Sequence, residues 1–269
     1  MGDRLAHRSQ PFKLATFNVN SVRKRLPHVL TWVKQHRPDV LCLQETKVED
    51  HAFPTQPLMA AGYHVVMSGT KGYNGVAVLG RHPITVVRTG FEDGEDPDEP
   101  SRLIHVLIDD LPVINVYAPQ GFSIDSPKYA YKLHWFRRLR RYFARHLSAD
   151  QPALLCGDLN VAPAPIDVHH PERHLKHVCF HEEVRQAYHT TMAWGFVDVY
   201  RLQHPRRQQF TFWDYRQPYA VQANRGWRFD HILATPSLAN RCRRAEVDLE
   251  PRLAPSPSDH TIVWAEFHL

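Results

Sequence analysis

Carboxylate, amide, phenol and imidazole side chains stand at the ends of six apolar runs in this sequence. In chain order, the runs bring Asn18, Glu45, Tyr117, the pair Asp158 and Asn160, Asp230, and the pair Asp259 and His260. Short apolar runs predict buried strands, so side chains at their ends can gather at one edge of a sheet. A turn or capping role explains any one of these residues, but six coincidences favour a shared catalytic rim.

This set of side chains suits metal-assisted hydrolysis of a phosphodiester. Carboxylates and amides are hard oxygen ligands, which Mg²⁺ and Mn²⁺ prefer and Zn²⁺ does not. A divalent cation, a base and several hydrogen-bond donors around one pocket can offset the charge that builds on phosphoryl oxygens during attack by water. The sequence carries no nucleophile elbow, P-loop or dinucleotide fingerprint.

Twelve short runs predict the strands that would position these side chains. They cover residues 14–18, 40–45, 64–68, 75–79, 84–88, 103–108, 113–117, 153–157, 210–213, 229–234, 245–249 and 261–267. Helical spacing of apolar residues predicts helices at 22–36, 129–147 and 182–194. Several neighbouring runs leave room only for tight connections, which predicts largely antiparallel sheets in one α/β domain.

Composition sets wider bounds on domain organisation and partners. The 269 residues, of which 43% are hydrophobic and 23% charged, can build a sizeable core. We expect residues 1–12 to form a flexible N-terminal extension and residues 13–269 to form a single catalytic domain. The net charge of +5 weakly favours a polyanionic partner such as nucleic acid.

Cysteine usage and hydropathy indicate the compartment. Four cysteines, at positions 42, 156, 179 and 242, form no C-x-x-C pair, which favours buried free thiols. The first residues lack the apolar stretch of a signal peptide, and no run is long enough to span a membrane. We therefore expect a cytoplasmic protein with no membrane partner.

Seven motifs occur in one order along the chain: TFNVNSVR, PDVLCLQETK, KGYNGVAVL, INVYAPQG, LLCGDLNVAP, NRGWRFDHIL and SDH. From about Leu14 to the C-terminus, the sequence resembles the exonuclease III family of abasic-site endonucleases through these motifs. The wider superfamily also contains deoxyribonuclease I, sphingomyelinases and inositol-polyphosphate phosphatases. The resemblance implies a monomer with a four-layer α/β sandwich, in which helices flank two packed, mixed and largely antiparallel sheets.

The resemblance implies a divalent metal, Mg²⁺ with Mn²⁺ as a substitute. Glu45 would hold this metal with the help of Asn18 and Asp259, and Asp39 would act from behind these ligands. The number of ions stays open, because the candidate ligands also include Asp158, Asn160 and His260.

The resemblance also implies roles around the scissile phosphate. Asp158 would orient or deprotonate the attacking water, while Asn160 and Tyr117 would hydrogen-bond the phosphate. His260 would contact the phosphate, with its other ring nitrogen bonded to Asp230. The group that takes the proton from water stays open among Asp158, His260 and Tyr117, and we favour Asp158.

Substrate selection would come from aromatic and basic residues. Phe212, Trp227 and Phe229 would form an apolar pocket that accepts a flipped-out abasic deoxyribose and rejects a base. The bulk of Trp227 and Phe229 predicts weak 3′→5′ exonuclease activity relative to endonuclease activity. Contacts to the DNA backbone would come from Lys47, Tyr73, Arg102, Gln120 and Arg216.

The sequence therefore predicts a repair nuclease that hydrolyses the phosphodiester 5′ to an abasic site in duplex DNA, during base-excision repair. Its partners would be DNA with abasic sites or 3′-blocked ends, and 3′-phosphodiesterase and exonuclease activities would accompany the main reaction. One alternative is a phosphodiesterase of the same superfamily acting on a lipid or inositol phosphate, which should lack the aromatic pocket. The other is a catalytically silent binder of damaged DNA, which should have lost Glu45, Asp158 or His260.

Three further patterns are not explained by this hypothesis. Histidines at 169, 170, 174, 177 and 181, together with Cys179, raise a structural zinc site as a minor alternative. The basic run 137–145 is expected to be a solvated helix surface, with Phe136, Leu139 and Phe143 facing the core. The acidic run Glu92–Glu99 is expected to be a solvated loop.

Overall fold

The computed structural model describes residues 11–97 and 99–269. Residues 1–10 of the expected N-terminal extension therefore lie outside the described residues. Phe12 was expected to belong to that extension, but it is buried and begins the first strand, where it pairs with Phe267. Within the described residues, no helix combines the length and the apolar character needed to cross a bilayer.

The described residues form twelve strands and seven α-helices. The strands are β1 (Phe12–Asn18), β2 (Val40–Gln44), β3 (His64–Ser68), β4 (Val76–Gly80), β5 (Ile84–Thr89), β6 (Leu103–Ile108), β7 (Leu111–Tyr117), β8 (Leu154–Asp158), β9 (Val197–Asp198), β10 (Asp230–Ala234), β11 (Cys242–Asp248) and β12 (Ile262–Phe267). The helices are α1 (Val22–His36), α2 (Thr55–Ala60), α3 (Pro127–His146), α4 (Glu182–Met192), α5 (Val199–Gln203), α6 (Pro236–Ala239) and α7 (Glu250–Leu253).

The strands build two six-stranded mixed sheets of matching construction. One sheet has the order β11-β12-β1-β2-β4-β3, and the other has the order β5-β6-β7-β8-β10-β9. Each sheet contains one parallel pair, β1 with β2 and β7 with β8, and its other pairs are antiparallel. Helix α1 connects the first parallel pair and α3 connects the second. The expected fold class, an α/β sandwich with two largely antiparallel sheets, is confirmed.

Three hydrophobic clusters separate four layers. The central cluster lies between the sheets and joins side chains such as Val40 and Cys42 of β2 to Leu154 and Cys156 of β8. The alternate residues of β2, Leu41 and Leu43, face an outer cluster that packs on α1 and α2. A second outer cluster covers the other sheet with α3 and α4. A strand buried on both faces needs a continuous apolar run, which explains why VLCLQ shows no alternation.

One predicted strand does not form, whereas the predicted buried face of α3 does. Residues 210–213 do not form a strand, because Phe212 makes only isolated bridges to Trp227 and His260. In α3, Phe136, Leu139 and Phe143 are buried as expected.

The basic run of α3 is not wholly solvated, because Arg138 is buried in an ion pair with Asp93 at 2.6 Å. The acidic loop that supplies Asp93 is therefore a counterion for α3 rather than a free surface loop. Pairing between segments 45 residues apart leaves no periodic signal in the sequence.

Candidate active site

The strand register carries the candidate residues to one edge of the two sheets. Asn18 ends β1 and pairs with Gln44, so Glu45 follows directly beside it. On the other sheet, Tyr117 and Asp158 end the parallel strands β7 and β8 opposite each other. Because carboxyl ends of parallel strands share an edge, these four side chains meet.

Antiparallel neighbours complete the rim from the starts of their strands. Asp230 begins β10 directly opposite Asp158, and His260 lies just before β12, which runs antiparallel to β1. Gly157 permits the close approach behind Asp158, because a Cβ at that position would lie 2.0 Å from the Val116 carbonyl oxygen.

Several rim residues hold a left-handed backbone conformation, which is uncommon for residues other than glycine. Glu45 has φ 50°, Asn160 has φ 50°, and their neighbours Asn20 and Lys47 have φ 42° and φ 56°. Strained backbone of this kind concentrates at functional sites, where the surrounding structure enforces it. The cluster thus marks the rim independently of side-chain identity.

A group of metal-ligand type lies at the centre of the rim. Single ligand atoms of Glu45, Asp158 and His260 lie within 4.8 Å of one another. The Asn18 amide nitrogen donates hydrogen bonds to Glu45 Oε1 and to Asp158 Oδ2, both at 2.9 Å, and so holds the two carboxylates together. Among the described residues this is the one group of three or more such ligands.

The donor set fits a hard divalent cation. Two carboxylates in contact with one amide offer oxygen ligands, the type that Mg²⁺ and Mn²⁺ prefer. Lys47 Nζ lies 2.7 Å from Glu45 Oε2 and donates to Asn20 Oδ1 at 2.6 Å, while Asn20 Nδ2 donates to Asp259 Oδ1 at 2.9 Å. Asp259 therefore joins the cluster through Asn20, and Lys47 already offsets part of its negative charge.

His260 is held in a fixed orientation by Asp230. Its Nδ1 donates to Asp230 Oδ2 at 2.8 Å, and its Nε2 lies 3.7 Å from Asp158 Oδ2. Burial alone would lower the pKa of His260, but the carboxylates of Asp230 and Asp158 outweigh it and raise the pKa to about 10. The imidazole is therefore a cation at neutral pH, able to contact an anionic phosphate.

At Asp158 and Tyr117, burial favours the protonated, neutral form of the side chain. Burial raises the pKa of Asp158 to about 7, with Asp230 and Glu45 adding to the rise and His260 opposing it. Burial, with the charges of Glu45 and Asp158, also raises the pKa of the Tyr117 phenol well above its usual value. A phenol that stays protonated can donate a hydrogen bond, whereas a carboxylate with a pKa near neutrality suits a base.

Asn160 is fixed by its own backbone and side chain. Its backbone N–H donates to Asp158 Oδ1 at 2.8 Å, and its amide nitrogen donates to the Ala118 carbonyl at 3.0 Å. These bonds leave little freedom in the GDLN segment. The amide is thus presented beside Asp158 in one orientation.

An open cavity of about 610 Å³ adjoins the cluster. Glu45 and His260 line it together with the three predicted aromatic residues, Phe212, Trp227 and Phe229, and the Phe212 ring lies 4.9 Å from the His260 ring. The Phe229 ring lies 5.2 Å from that of Phe212 and 5.4 Å from that of Trp227. The structure therefore places the aromatic wall beside the candidate catalytic groups.

The expected DNA contacts take different positions around this cavity. Gln120 and Arg216 line it, and the Arg216 side chain is 89% exposed while it is paired with Asp214 at 2.7 Å. Tyr73 is 77% exposed on a loop that contacts Lys47 through the backbone of Asn74.

Arg102 has a supporting position rather than a free one. Its guanidinium lies 5.1 Å from the centre of the Tyr117 ring, and its Nε donates to Glu99 Oε2 at 2.6 Å. The residue thus packs against a candidate phosphate ligand.

Asp39 is not part of this site. It precedes β2, whereas Glu45 follows β2, so about 20 Å of strand separates them. Its carboxylate accepts a hydrogen bond from the Lys13 backbone N–H at 2.8 Å. This bond links the start of β2 to the start of β1, at the end of the strands away from the site. The expectation that Asp39 acts from behind the metal ligands is not supported by this placement.

The histidine-rich segment contributes to the cavity wall. His174 and His177 line the cavity, and their rings lie 4.7 Å and 4.5 Å from the Trp227 ring. Burial, followed by the charge of Lys132, lowers the pKa of His177 to about 4, so this ring is neutral at pH 7. Within residues 11–97 and 99–269, these histidines form no group of three converging ligands, so the zinc alternative gains no support.

Three supporting residues were not identified from the sequence. Asn20 links Lys47 to Asp259. Ser258 Oγ donates to the Asn18 carbonyl at 2.7 Å and accepts from the His260 N–H at 3.2 Å. The hydroxyl of Thr211 accepts from the N–H groups of Phe229 and Asp230. Asn20 and Ser258 lie inside recognised motifs, and proximity to those motifs is the signal that could have indicated them.

Comparison with known proteins agrees with this geometry. Residues 15–260 match the Endonuclease/Exonuclease/phosphatase family. The chain is 36% identical to the exodeoxyribonuclease III of Haemophilus influenzae over 269 residues, which cover 95% of this chain and 99% of that protein.

Solved structures give the same result. An AP endonuclease from Archaeoglobus fulgidus is 49% identical, with a TM-score of 0.93 and coverage of 96% of this chain and 100% of that one. The 3′ phosphatase NExo from Neisseria, bound to product DNA hairpin, is 37% identical, with a TM-score of 0.90 and coverage of 96% and 100%. The chain therefore belongs to the endonuclease/exonuclease/phosphatase family and is a relative of exodeoxyribonuclease III.

Proposed function

We propose that this protein is a metal-dependent DNA repair nuclease that hydrolyses the phosphodiester 5′ to an abasic site in duplex DNA. The observation that carries the proposal is that the Glu45–Asp158–His260 cluster adjoins, through Glu45 and His260, the same cavity that the aromatic wall lines. The relatives named as AP endonuclease and exodeoxyribonuclease III support the same reaction class. Hydrolysis at that bond would leave a 3′-hydroxyl for repair synthesis.

A divalent cation, which we propose to be Mg²⁺ with Mn²⁺ as a substitute, would supply neutralisation of charge on the phosphoryl oxygens. Glu45 is the central ligand of this proposal, because Asn18 orients its carboxylate and Lys47 binds its second oxygen. Asp158 is the further carboxylate within reach.

The protein groups divide the remaining tasks by their protonation states. Asp158 accepts the proton of the attacking water, because its raised pKa makes it the better base of the candidates. His260, held by Asp230, contacts the phosphate as a cation. Tyr117 and Asn160 donate hydrogen bonds to the phosphoryl oxygens as negative charge accumulates.

Selectivity for the abasic nucleotide follows from the aromatic wall. A deoxyribose without its base fits against Phe212, Trp227 and Phe229, and extrusion of such a nucleotide costs least because no base is stacked or paired. Lys47, Tyr73, Gln120 and Arg216 would contact the DNA backbone around the cavity. We further propose that the protein acts as a monomer in the cytoplasm, where its four free, buried thiols are stable.

The two alternatives predict different structures. A lipid or inositol-phosphate phosphodiesterase has no need of an aromatic wall sized for deoxyribose. A silent binder of damaged DNA has no need of the ordered His260–Asp230 and Asn18–Asp158 hydrogen bonds. Both features favour the nuclease.

One assay tests the proposal directly. A duplex with a single abasic site, an intact duplex, a 3′-phosphate duplex and a sphingomyelin control are each incubated with Mg²⁺ or with EDTA. We expect Mg²⁺-dependent nicking at the lesion, slower exonuclease action and no lipid product. Asp158→Asn should slow nicking by orders of magnitude, whereas the exposed control Glu172→Gln should not. Absence of a metal-dependent nick would refute the proposal.

A further inference from the structure

A fully buried lysine lies beneath the rim of the site. Lys132, in α3, is 0% exposed, and its ammonium donates to three backbone carbonyls: Gln120 at 3.0 Å, Asn160 at 2.7 Å and Val178 at 2.9 Å. Three donors thus meet three acceptors, so the ammonium is fully satisfied by the backbone. The acceptors come from three separate loops.

A core role does not explain this residue. Removing an ammonium from water is costly, and burial lowers the pKa of Lys132 accordingly. The neighbouring buried positions of α3, such as Trp135, Phe136 and Leu139, are hydrophobic, so an apolar side chain would suit packing better. The ammonium can hydrogen-bond carbonyls of distant loops at the same time, which an apolar side chain cannot do.

Two of the three loops carry groups proposed to meet the substrate. Asn160 has its carbonyl bound by Lys132, its N–H bound by Asp158 and its side chain bound by Ala118. Gln120, whose carbonyl Lys132 also binds, lines the cavity. Lys132 therefore fixes the loop after β7 relative to the loop after β8 without contacting the cavity itself.

The other sheet contains a corresponding arrangement. Arg25, in α1, donates to the carbonyls of Asn20 at 2.9 Å and Pro257 at 2.7 Å, and to the Tyr215 hydroxyl at 2.9 Å. In each half, the helix between the two parallel strands sends a buried cation to a loop at the carboxyl end of such a strand: Arg25 binds Asn20 after β1, and Lys132 binds Gln120 after β7 and Asn160 after β8. Loop carbonyls that leave the sheet need partners, and these cations supply them.

We propose that Lys132 is a positioning residue for hydrolysis: its ammonium holds the Asn160 and Gln120 loops in the relative position that the transition state requires. This inference rests on the proposed nuclease function. A misplacement of about 1 Å at such a site can cost about 10²-fold in rate. Catalysis should therefore depend on a side chain that touches neither DNA nor metal.

The test compares two substitutions in the same helix. Lys132→Met keeps an unbranched apolar side chain as far as Cε and removes the ammonium with its donors. Arg138→Met is the matched control, because Arg138 is an equally buried cation of α3 whose partners are Asp93, Glu95 and Pro97 rather than the rim. Steady-state kinetics on the abasic duplex, the free energy of unfolding and amide hydrogen exchange are measured for each protein.

Lys132→Met should lower kcat about 10²-fold and speed hydrogen exchange in the loops 118–122, 158–163 and 176–180. Arg138→Met should lose stability to a similar degree while kcat stays within about twofold of the parent. Lys132→Gln, which keeps two donors without the charge, should recover part of kcat, and it carries the test if Lys132→Met fails to fold.

The proposal is overturned if the Lys132 variants keep the parental kcat, or if Arg138→Met lowers kcat equally. Failure of the proposed function gives a different result, since the unsubstituted protein would then not nick the abasic duplex at all. In that case the exchange pattern of the three loops still decides whether Lys132 holds them together.

Discussion

At the scale of single residues, two buried carboxylates of the site differ in their hydrogen-bond partners. Asp158 and Asp230 are both buried carboxylates on neighbouring strands, yet only Asp230 holds a direct hydrogen bond from His260. Burial favours the protonated form of Asp158, and the shared imidazolium keeps the cluster from accumulating uncompensated negative charge. Asp158 and His260 are thus neighbouring titratable groups whose pKa values are set by burial and by each other, a typical basis for acid–base chemistry.

Asp230→Asn should separate the orientation of His260 from its charge. The amide can still hydrogen-bond Nδ1, but it no longer stabilises the imidazolium, so the pKa of His260 should fall. We expect kcat to drop about 10–100-fold with the fold intact. NMR titration of the His260 ring, together with single-turnover nicking, checks both parts, and an unchanged His260 pKa would contradict the assignment.

Trp227→Ala tests the aromatic wall as the source of selectivity. Removing the indole enlarges the cavity that Trp227 lines, so a nucleotide that retains its base should enter more easily. We expect the ratio of abasic nicking to 3′→5′ exonuclease activity to fall about 10–200-fold.

Trp32→Ala is the matched control for this prediction, since Trp32 is also buried but belongs to α1 and packs in the outer cluster, away from the cavity. It should reduce stability and leave the ratio of activities unchanged. A ratio that stays constant in Trp227→Ala would show that selectivity arises elsewhere.

At the scale of elements, the loop that presents the wall is fastened by a buried ion-pair network. Arg228 lies between Trp227 and Phe229 in the sequence, and its guanidinium binds Asp167 and Asp198, both at 2.7 Å. The side chain of Arg228 is 2% exposed and that of Asp167 is 1% exposed. The aromatic residues on either side are therefore oriented by a polar anchor beneath them.

Arg228→Leu should destabilise the fold strongly. It removes the guanidinium that two buried carboxylates share, leaving Asp167 with Arg201 and Asp198 with His231. Breaking a buried pair in this way costs about 3–5 kcal/mol. Chemical denaturation measures the loss. A loss similar to that of an exposed substitution such as Arg173→Leu would contradict the role of the anchor.

The same network predicts how stability depends on pH. Arg228 holds the pKa of Asp167 and Asp198 below the usual value despite their burial, so both carboxylates contribute stability above the unfolded pKa of about 3.9. That contribution should disappear as pH falls toward the lowered pKa values. In Arg228→Leu, the largest lowering influence on both pKa values is lost, while Arg201 and His231 remain beside the carboxylates, so the loss of stability toward acid pH should be smaller than in the parent. Unfolding free energies measured across the acid range compare the two slopes, and equal slopes would contradict the role of Arg228.

Strands and helices of this fold were predictable because their apolar periods are local. The runs 64–68 and 103–108 and the helix 22–36 form as predicted. Asp39 shows where this approach ends: it and Glu45 flank the same strand, and only the pairing of β2 with β1 decides which of them reaches the rim. Lys132 was not predicted because its partners are backbone carbonyls of distant loops, which have no sequence signature.

At the scale of the whole molecule, two similar sheets each contribute half of the site. Asn18 and Glu45 come from one sheet, and Asp158 and Asp230 come from the other, so the carboxylate cluster spans the central core. A cation ligated by carboxylates of both sheets would hold the two halves together. The side chains of the central core, including Cys42 and Cys156, remain fully buried directly behind it.

Metal binding should therefore stabilise the fold as well as enable the reaction. A ligand that binds only the native state adds RT ln(1 + [L]/Kd) to stability, about 2.7 kcal/mol at 100 times Kd. We expect Mg²⁺ or Mn²⁺ to raise Tm relative to EDTA, and Glu45→Gln to abolish most of that rise. The exposed substitution Glu172→Gln should keep it, because Glu172 lies outside the cluster. Calorimetry without DNA measures this effect. If the rise in Tm persists in Glu45→Gln, the metal binds elsewhere and does not link the two sheets.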